Sequence, residues 1–148
     1  MIFKSATSKV NQYILFGAIV FMFLMTIPTL FDDSIEPFII IFEINLVITI
    51  FLLWTYKSTF YILKNEVLIW RSGPFKGSIE IKNINKIEYH KGIVVPTIWK
   101  PALSHIGLII TYNKYDDIYI SPEKQEEFIA TLQRLNQNIT IKNNPYVL

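Results

Sequence analysis

Two long apolar stretches occupy the first part of the chain, and short alternating stretches follow them. Residues 13–31 contain no charged side chain, and residues 37–56 contain only Glu43. About 20 apolar residues of helix are needed to cross the roughly 30 Å hydrocarbon layer of a bilayer. The pattern therefore predicts a hairpin of two transmembrane helices, with spans at about 12–31 and 37–56, joined by a short link.

The charges that flank the two spans are distributed asymmetrically. Basic residues precede the first span (Lys4 and Lys9) and follow the second (Lys57 and Lys64). The link between the spans is acidic and contains Asp32, Asp33 and Glu36. Lys and Arg near span ends remain on the cytoplasmic side. We therefore predict a multi-pass protein of the cell (plasma) membrane with both termini cytoplasmic.

After residue 56 the apolar stretches become short and are separated by polar residues and turns. Strand-like segments lie at 59–64, 67–71, 75–82, 84–90, 106–112 and 118–120. Gly73 and Pro74 mark a turn between two of them, and Pro96 and Pro101 exclude a central strand at 94–104. The sequence predicts an antiparallel meander of about six short strands.

The last element has the period of a helix. Ser121 is a candidate N-cap and Pro122 suits the first helical position. An apolar stripe follows, formed by Phe128, Ile129, Leu132 and Leu135, and Asn136 suggests the end, before a short strand at 139–142. The fold class is thus a membrane α-helical hairpin (residues 1–56) plus an α+β domain (residues 57–148), whose antiparallel sheet is closed by one C-terminal amphipathic helix.

Four stretches, in this order, resemble bacterial membrane proteins that carry a pleckstrin-homology-like (PH-like) domain after one or two transmembrane helices. They are residues 59–62 (Thr-Phe-Tyr-Ile), 71–75 (Arg-Ser-Gly-Pro-Phe), 100–104 (Lys-Pro-Ala-Leu-Ser) and 120–129. The resemblance covers residues 57–142. It implies a bent antiparallel β-barrel closed at one end by the helix.

The resemblance also implies a non-enzymatic, membrane-anchored binding module. One similar member is the sublancin immunity protein, which makes bacteriocin self-immunity a candidate role and a bacteriocin peptide or a membrane protein a candidate partner. The alternatives are a structural or regulatory subunit of a larger membrane complex and a module that contacts inner-leaflet lipid. Phosphoinositide recognition would need a dense basic loop, but residues 64–66 contain one basic residue.

Residues able to support catalysis or metal binding are few. His90 and His105 have no acidic partner at ligand spacing, and the chain has no cysteine. Asp116 and Asp117 lie in a predicted hairpin loop, where Asp is favoured for turn formation. The sequence therefore predicts no catalytic site, no metal site and no cofactor, and we expect the bilayer rather than nucleic acid as a partner.

Glu43 lies within a predicted span, where an ionisable residue is costly and marks a functional hypothesis. In a tight hairpin it would face Met25 and Thr26, so Thr26 is the expected hydrogen-bond partner, with Asn45 close by. These residues form a candidate intramembrane contact: Glu43, Asn45 and Thr26. The alternatives are helix–helix or second-copy contact, sensing of a partner or peptide, and ion or proton conduction.

Basic residues are concentrated just after the second span. Between residues 57 and 100 there are eight Lys or Arg against three Glu. Juxtamembrane Lys and Arg are attracted to an anionic leaflet by about 1 kcal/mol each, although lysines also guard exposed strand edges. The candidate membrane-surface basic patch consists of Lys57, Lys64, Lys76, Lys82, Lys86 and Lys91. The oligomeric state is not set by the sequence.

Overall fold

The computed structural model describes residues 1–31 and 33–142. Within them, two apolar helices are followed by a domain of two four-stranded sheets and a third helix. The order of helices and strands predicted for the chain agrees with this architecture. The N-terminal segment differs, because it adds a strand to the domain.

The two apolar helices are α1 (Lys9–Leu24) and α2 (Glu36–Lys57). The Ser8 hydroxyl caps α1 by accepting from the Asn11 N–H at 3.2 Å. Beyond α1 the chain continues as a 3-10 helix, Ile27–Phe31, because the ring of Pro28 would clash with the carbonyl of Leu24 in an α-helix. The segments Lys9–Phe31 and Glu36–Lys57 are long and apolar enough to cross a membrane.

The first sheet is antiparallel and has the order β1-β2-β3-β4. Its strands are β1 (Ile2–Lys4), β2 (Phe60–Lys64), β3 (Val67–Ser72) and β4 (Phe75–Glu80). Asn65 and Glu66 form the β2–β3 turn with φ of 50° and 60°, the left-handed values that tight hairpins require. β1 was not predicted, lies outside the predicted domain boundary and pairs with the first predicted strand.

The second sheet has the order β7-β6-β5-β8. It contains β5 (Ile84–Lys91), β6 (Ile106–Tyr112), β7 (Asp116–Ile120) and β8 (Thr140–Lys142), and β8 runs parallel to β5. A 3-10 helix, Ile81–Asn83, joins β4 to β5. Because that corner interrupts strand pairing, the described strands form two sheets rather than the closed barrel that the resemblance implied.

Helix α3 (Gln125–Leu135) covers the core between the sheets. It buries Phe128, Ile129 and Leu132, whereas Leu135 is exposed, so the predicted stripe is one residue too long. The Phe128 ring meets the ring of Phe3 edge-on at 5.1 Å. Asn136 ends the helix as predicted, and its side-chain amide donates to the carbonyls of Ile81 and Ile84 at 2.9 and 3.1 Å.

α3 begins later than the sequence suggests. Ser121 is not its cap: the helix starts after Lys124, without a side-chain capping hydrogen bond. The preceding residues pair with the N-terminal segment instead, through a bridge between Ser5 and Pro122 and a 3.0 Å hydrogen bond from the Glu123 N–H to the Lys4 carbonyl. The N-terminal segment thus connects the first sheet to the end of β7.

Candidate functional site

A buried group of hydroxyls joins the N-terminal segment to the domain. The fully buried Tyr61 donates to the Pro101 carbonyl at 2.6 Å and accepts from the Ser121 N–H at 3.0 Å. The Ser5 hydroxyl lies 3.2 Å from the Tyr61 oxygen and 2.9 Å from the Ser121 hydroxyl. Burial raises the pKa of Tyr61. Ser5, Tyr61 and Ser121 are called the hydroxyl cluster below.

The hydroxyl cluster brings together segments that are distant in sequence. The Leu103 N–H donates to both serine hydroxyls of the cluster, at 3.1 Å to Ser5 and 3.2 Å to Ser121. The cluster therefore fixes the loop that contains residues 100–104 against β2 and the end of β7. Three of the four stretches that carry the PH-like resemblance meet at this point.

The fourth stretch, residues 71–75, holds the end of α2. The Ser72 hydroxyl lies 3.0 Å from the Thr59 hydroxyl, and the Gly73 N–H donates to the Ser58 hydroxyl at 3.1 Å. Gly73 has φ +58°, and a Cβ at this position would lie 2.6 Å from Oγ1 of Thr55. Glycine is therefore required by the left-handed backbone and by the close approach of the helix.

Asn45 makes the polar contact between α1 and α2. Its side-chain amide donates to the Thr26 hydroxyl at 2.9 Å and to the Met22 carbonyl at 3.1 Å, and both Asn45 and Thr26 are buried. The hydrogen bond predicted from Glu43 to Thr26 is thus made by Asn45. Glu43 is exposed, because two residues along an α-helix turn the side chain by about 200°.

The connection between β5 and β6 crosses the outer face of the second sheet. Val95 packs there on Ile109 and Tyr119 in a small second core. The Tyr119 N–H donates to the Trp99 carbonyl at 2.9 Å, and the Tyr119 hydroxyl donates to the Ser104 carbonyl at 3.0 Å. Burial, with a smaller contribution from Tyr61, raises the pKa of Tyr119. These contacts hold the connection firmly on the sheet.

A largely apolar cavity of about 420 Å³ separates this connection from the helices. Its walls include Leu15 and Ala18 of α1, Leu52 of α2, and Ile93 and Val95 of the connection. Polar groups are few: its lining also includes Asn11, Lys100, Ser104, His105 and Tyr119. The cavity lies between the domain and the neighbouring parts of α1 and α2, and its walls suit an apolar group.

A smaller hollow of about 140 Å³ adjoins the other side of the same connection. Its lining includes three aromatic residues and one cation: Trp70, Phe75, Trp99 and Lys100. The rings of Trp70 and Trp99 lie 5.8 Å apart at 42°. Phe75 and Trp99 are about half exposed, at 53% and 50%.

The six lysines of the predicted basic patch divide into two groups. Lys57, Lys76 and Lys91 lie at or near element ends that adjoin the helices. The others, Lys64, Lys82 and Lys86, lie toward the far ends of β2, β4 and β5, and Lys82 and Lys86 form ion pairs with Glu80 and Glu88 at 2.9 and 2.8 Å. The structure therefore brings half of the predicted patch to the helix side, where Lys100 joins it.

The histidines and the paired aspartates are distributed separately. The His105 ring nitrogen Nδ1 lies 3.0 Å from the Ser8 hydroxyl, and the His90 ring meets Tyr119 edge-on at 5.6 Å. Asp116 accepts from the Asn113 amide at 2.8 Å within the β6–β7 hairpin. In residues 1–31 and 33–142, no group of three or more His, Cys, Asp or Glu residues is placed to hold a metal ion.

Sequence reasoning missed β1 and the hydroxyl cluster. The charges before the first span indicate topology but no strand, although Ile2 and Phe3 are apolar and residues 5–8 are rich in hydroxyls. Phe3 is 5% exposed and Ile2 is 72% exposed, which is the alternation of a strand with one buried face. That short alternation was the available signal.

The fold and the junction define a class of protein: a small two-sheet domain, covered by a C-terminal helix and locked to a pair of apolar helices. The chain belongs to the bacterial PH domain family, which matches residues 59–136. It is 30% identical over 122 residues to the uncharacterized protein YyaB of Bacillus subtilis (strain 168), covering 74% of this chain and 80% of that protein. No solved structure matches.

Proposed function

We propose that the chain is a non-enzymatic binding module, anchored by α1 and α2 as a transmembrane hairpin with its PH-like domain at the cytoplasmic leaflet. The pairing of β1 with β2 carries this proposal, with Ile2 opposite Ile62 and Lys4 opposite Phe60. One strand precedes α1 and the other follows α2. The pairing brings the outer ends of the two helices together, which supports a hairpin that crosses the membrane twice and has both outer ends on one side.

The flanking residues support the orientation. Lys9 and Lys57 lie at the domain ends of the helices, whereas the link is acidic, and basic residues remain cytoplasmic. Tyr13 and Trp54 lie near the same ends and are 74% and 47% exposed. Aromatic residues of this kind favour the membrane–water interface.

Family membership supports binding over catalysis, since PH-like domains typically mediate binding. The apolar cavity is lined in part by both helices, which supports contacts made at the membrane surface. Bacteriocin self-immunity, with a bacteriocin peptide bound there, rests on the family resemblance alone and stays a prediction.

Cysteine accessibility in intact cells tests the topology, because the natural chain contains no cysteine. We expect Ser34→Cys, in the link, to react with a membrane-impermeant maleimide from outside. Tyr115→Cys, at an 81% exposed position of the domain, should react only after the cells are permeabilised. The unmodified chain is the background control. Labelling of Tyr115→Cys in intact cells would contradict the proposed orientation.

Glu43 supports a second candidate, a subunit of a larger membrane complex. Its side chain is exposed on α2, away from the Asn45 contact with α1. A carboxyl group facing lipid is costly, and such residues almost always face a bundle interior or a partner. A helix of another membrane protein, or of a second copy of this chain, would cover the Glu43 carboxyl group and shield it from lipid.

A further inference from the structure

Part of the β5–β6 connection exposes large apolar side chains to a degree unusual for a domain surface. Within residues 92–100, here called the apolar loop, Ile93 is 70% exposed, Val94 86%, Ile98 92% and Trp99 50%. Apolar side chains clustered in this way mark an interaction site. The question is which partner they meet.

The apolar loop is anchored at its base. Val95 is buried at 7% exposure, and the Gly92 N–H donates to the His105 carbonyl at 2.8 Å. At the other end, Trp99 bridges to Ile118 of β7. The exposed side chains are thus presented by a fixed backbone and have no covering segment among the described residues.

The position of the apolar loop along the helices identifies its surroundings. Ile93 shares the 420 Å³ cavity with Ala18 and Leu52. At 1.5 Å per residue, Ala18 lies about 13 Å along α1 from Lys9, and Leu52 lies about 7 Å before Lys57. Ile93 and Val95 of the loop therefore face a cavity that is also lined by the apolar segments of both helices, beyond their charged ends.

We propose that the apolar loop inserts into the cytoplasmic leaflet as a third membrane contact, with the lipid surface as its partner. The inference rests on the proposed hairpin topology. Ile93, Val94 and Ile98 enter the boundary between headgroups and acyl chains, and Trp99 lies at the interface that its ring favours. Lys91 directly precedes the loop and Lys100 is its last residue; both are exposed, so they face anionic headgroups.

This arrangement gives the domain a fixed orientation on the bilayer. The helix ends hold one side through Ser58 and the hydroxyl cluster, and the apolar loop holds another. The phosphate-binding loop of phosphoinositide-specific domains is not involved, since residues 64–66 lie at the far end of β2.

Spin labelling of the full chain in vesicles of phosphatidylglycerol and phosphatidylethanolamine tests the insertion. Single cysteines replace Val94 and Ile98 in the loop, with Tyr115→Cys as the aqueous control and Val47→Cys on α2 as the hydrocarbon control. Collision rates with oxygen, which concentrates in lipid, and with a water-soluble nickel chelate report the depth of each label. We expect the oxygen-to-nickel ratio at positions 94 and 98 to exceed that at position 115 severalfold.

The controls separate the two proposals. A lipid-exposed label at position 47 with water-exposed labels at 94 and 98 would overturn loop insertion and leave the hairpin standing. A water-exposed label at position 47 would overturn the hairpin and, with it, insertion of the loop. Dipolar broadening at position 94, with exclusion of both quenchers, would mean that a second copy covers the loop and would also overturn the lipid assignment.

Discussion

The hydroxyl group of Tyr61 connects three segments that are distant in sequence. Its oxygen contacts the Pro101 carbonyl, the Ser121 amide and the Ser5 hydroxyl in a fully buried position. A buried polar group must be paired, and removing one partner leaves the others unsatisfied. The hydroxyl of Tyr61, as well as its ring, therefore joins β2 to the neighbouring segments.

Replacing Tyr61 by Phe keeps the ring and removes the hydroxyl. We expect the free energy of unfolding of the domain to fall by about 1–3 kcal/mol, the cost of leaving buried polar groups unpaired. Denaturant titration of the full chain in mild detergent, followed by tryptophan fluorescence, measures the change. Tyr115→Phe, at an exposed position, is the matched control and should shift stability by less than about 0.5 kcal/mol. Equal effects of the two variants would disprove the role of the cluster.

Glu43 and Asn45 illustrate a limit of sequence reasoning at the same scale. The spacing of the hairpin correctly predicts that Thr26 faces this part of α2. Which of the two polar residues reaches Thr26 depends on the rotation of α2 about its axis, and that rotation is set by the packing of many apolar side chains. Neither residue alone carries that information.

Among the elements, β1 differs most from expectation. The strands from β2 to β7 are predicted to within a few residues because each has a regular apolar pattern and a clear turn at its ends. β1 has three residues, and its partner lies beyond both apolar helices. A strand this short has too little periodicity to be recognised before its partner is known.

Phe3 is the residue through which β1 stabilises the domain. Phe3→Ala should lower the free energy of unfolding by about 3–5 kcal/mol, the usual cost of truncating a buried Phe, because it opens a cavity against Phe128. Ile2→Ala lies on the same strand at an exposed position and should change stability by less than about 0.5 kcal/mol. The same denaturant titration measures both. A loss below about 1 kcal/mol for Phe3→Ala would show that β1 is dispensable.

The whole molecule combines two parts that the sequence predicts separately and a junction that it does not. Apolar length predicts the helices, and alternation predicts the sheets. The junction depends on side chains such as Ser5, Ser58 and Gly73, which become neighbours only after folding. The sequence therefore singles out only some of the residues near the junction, among them the lysines that lie near the helices, Lys57, Lys76 and Lys91.

Association between molecules is the property that Glu43 should control. If its carboxyl group meets a partner helix, Glu43→Leu should shift the complex extracted in mild detergent to a smaller size on native gels. Glu43→Gln, which can still form a hydrogen bond, should retain more of the complex, since polar side chains link helices in lipid. An unchanged size for the Glu43→Leu variant would contradict the hypothesis that a complex depends on Glu43.

The pairing of β1 with β2 has a consequence for biosynthesis on the proposed topology. β1 is translated before both helices, but its partner strand is translated only after them. The N-terminal segment must therefore wait on the cytoplasmic side while the hairpin enters the membrane. The first sheet can be completed only when insertion has placed both ends of the hairpin on the same side. A chain inserted with only one crossing would keep an unpaired sheet edge, exposed to cellular proteases.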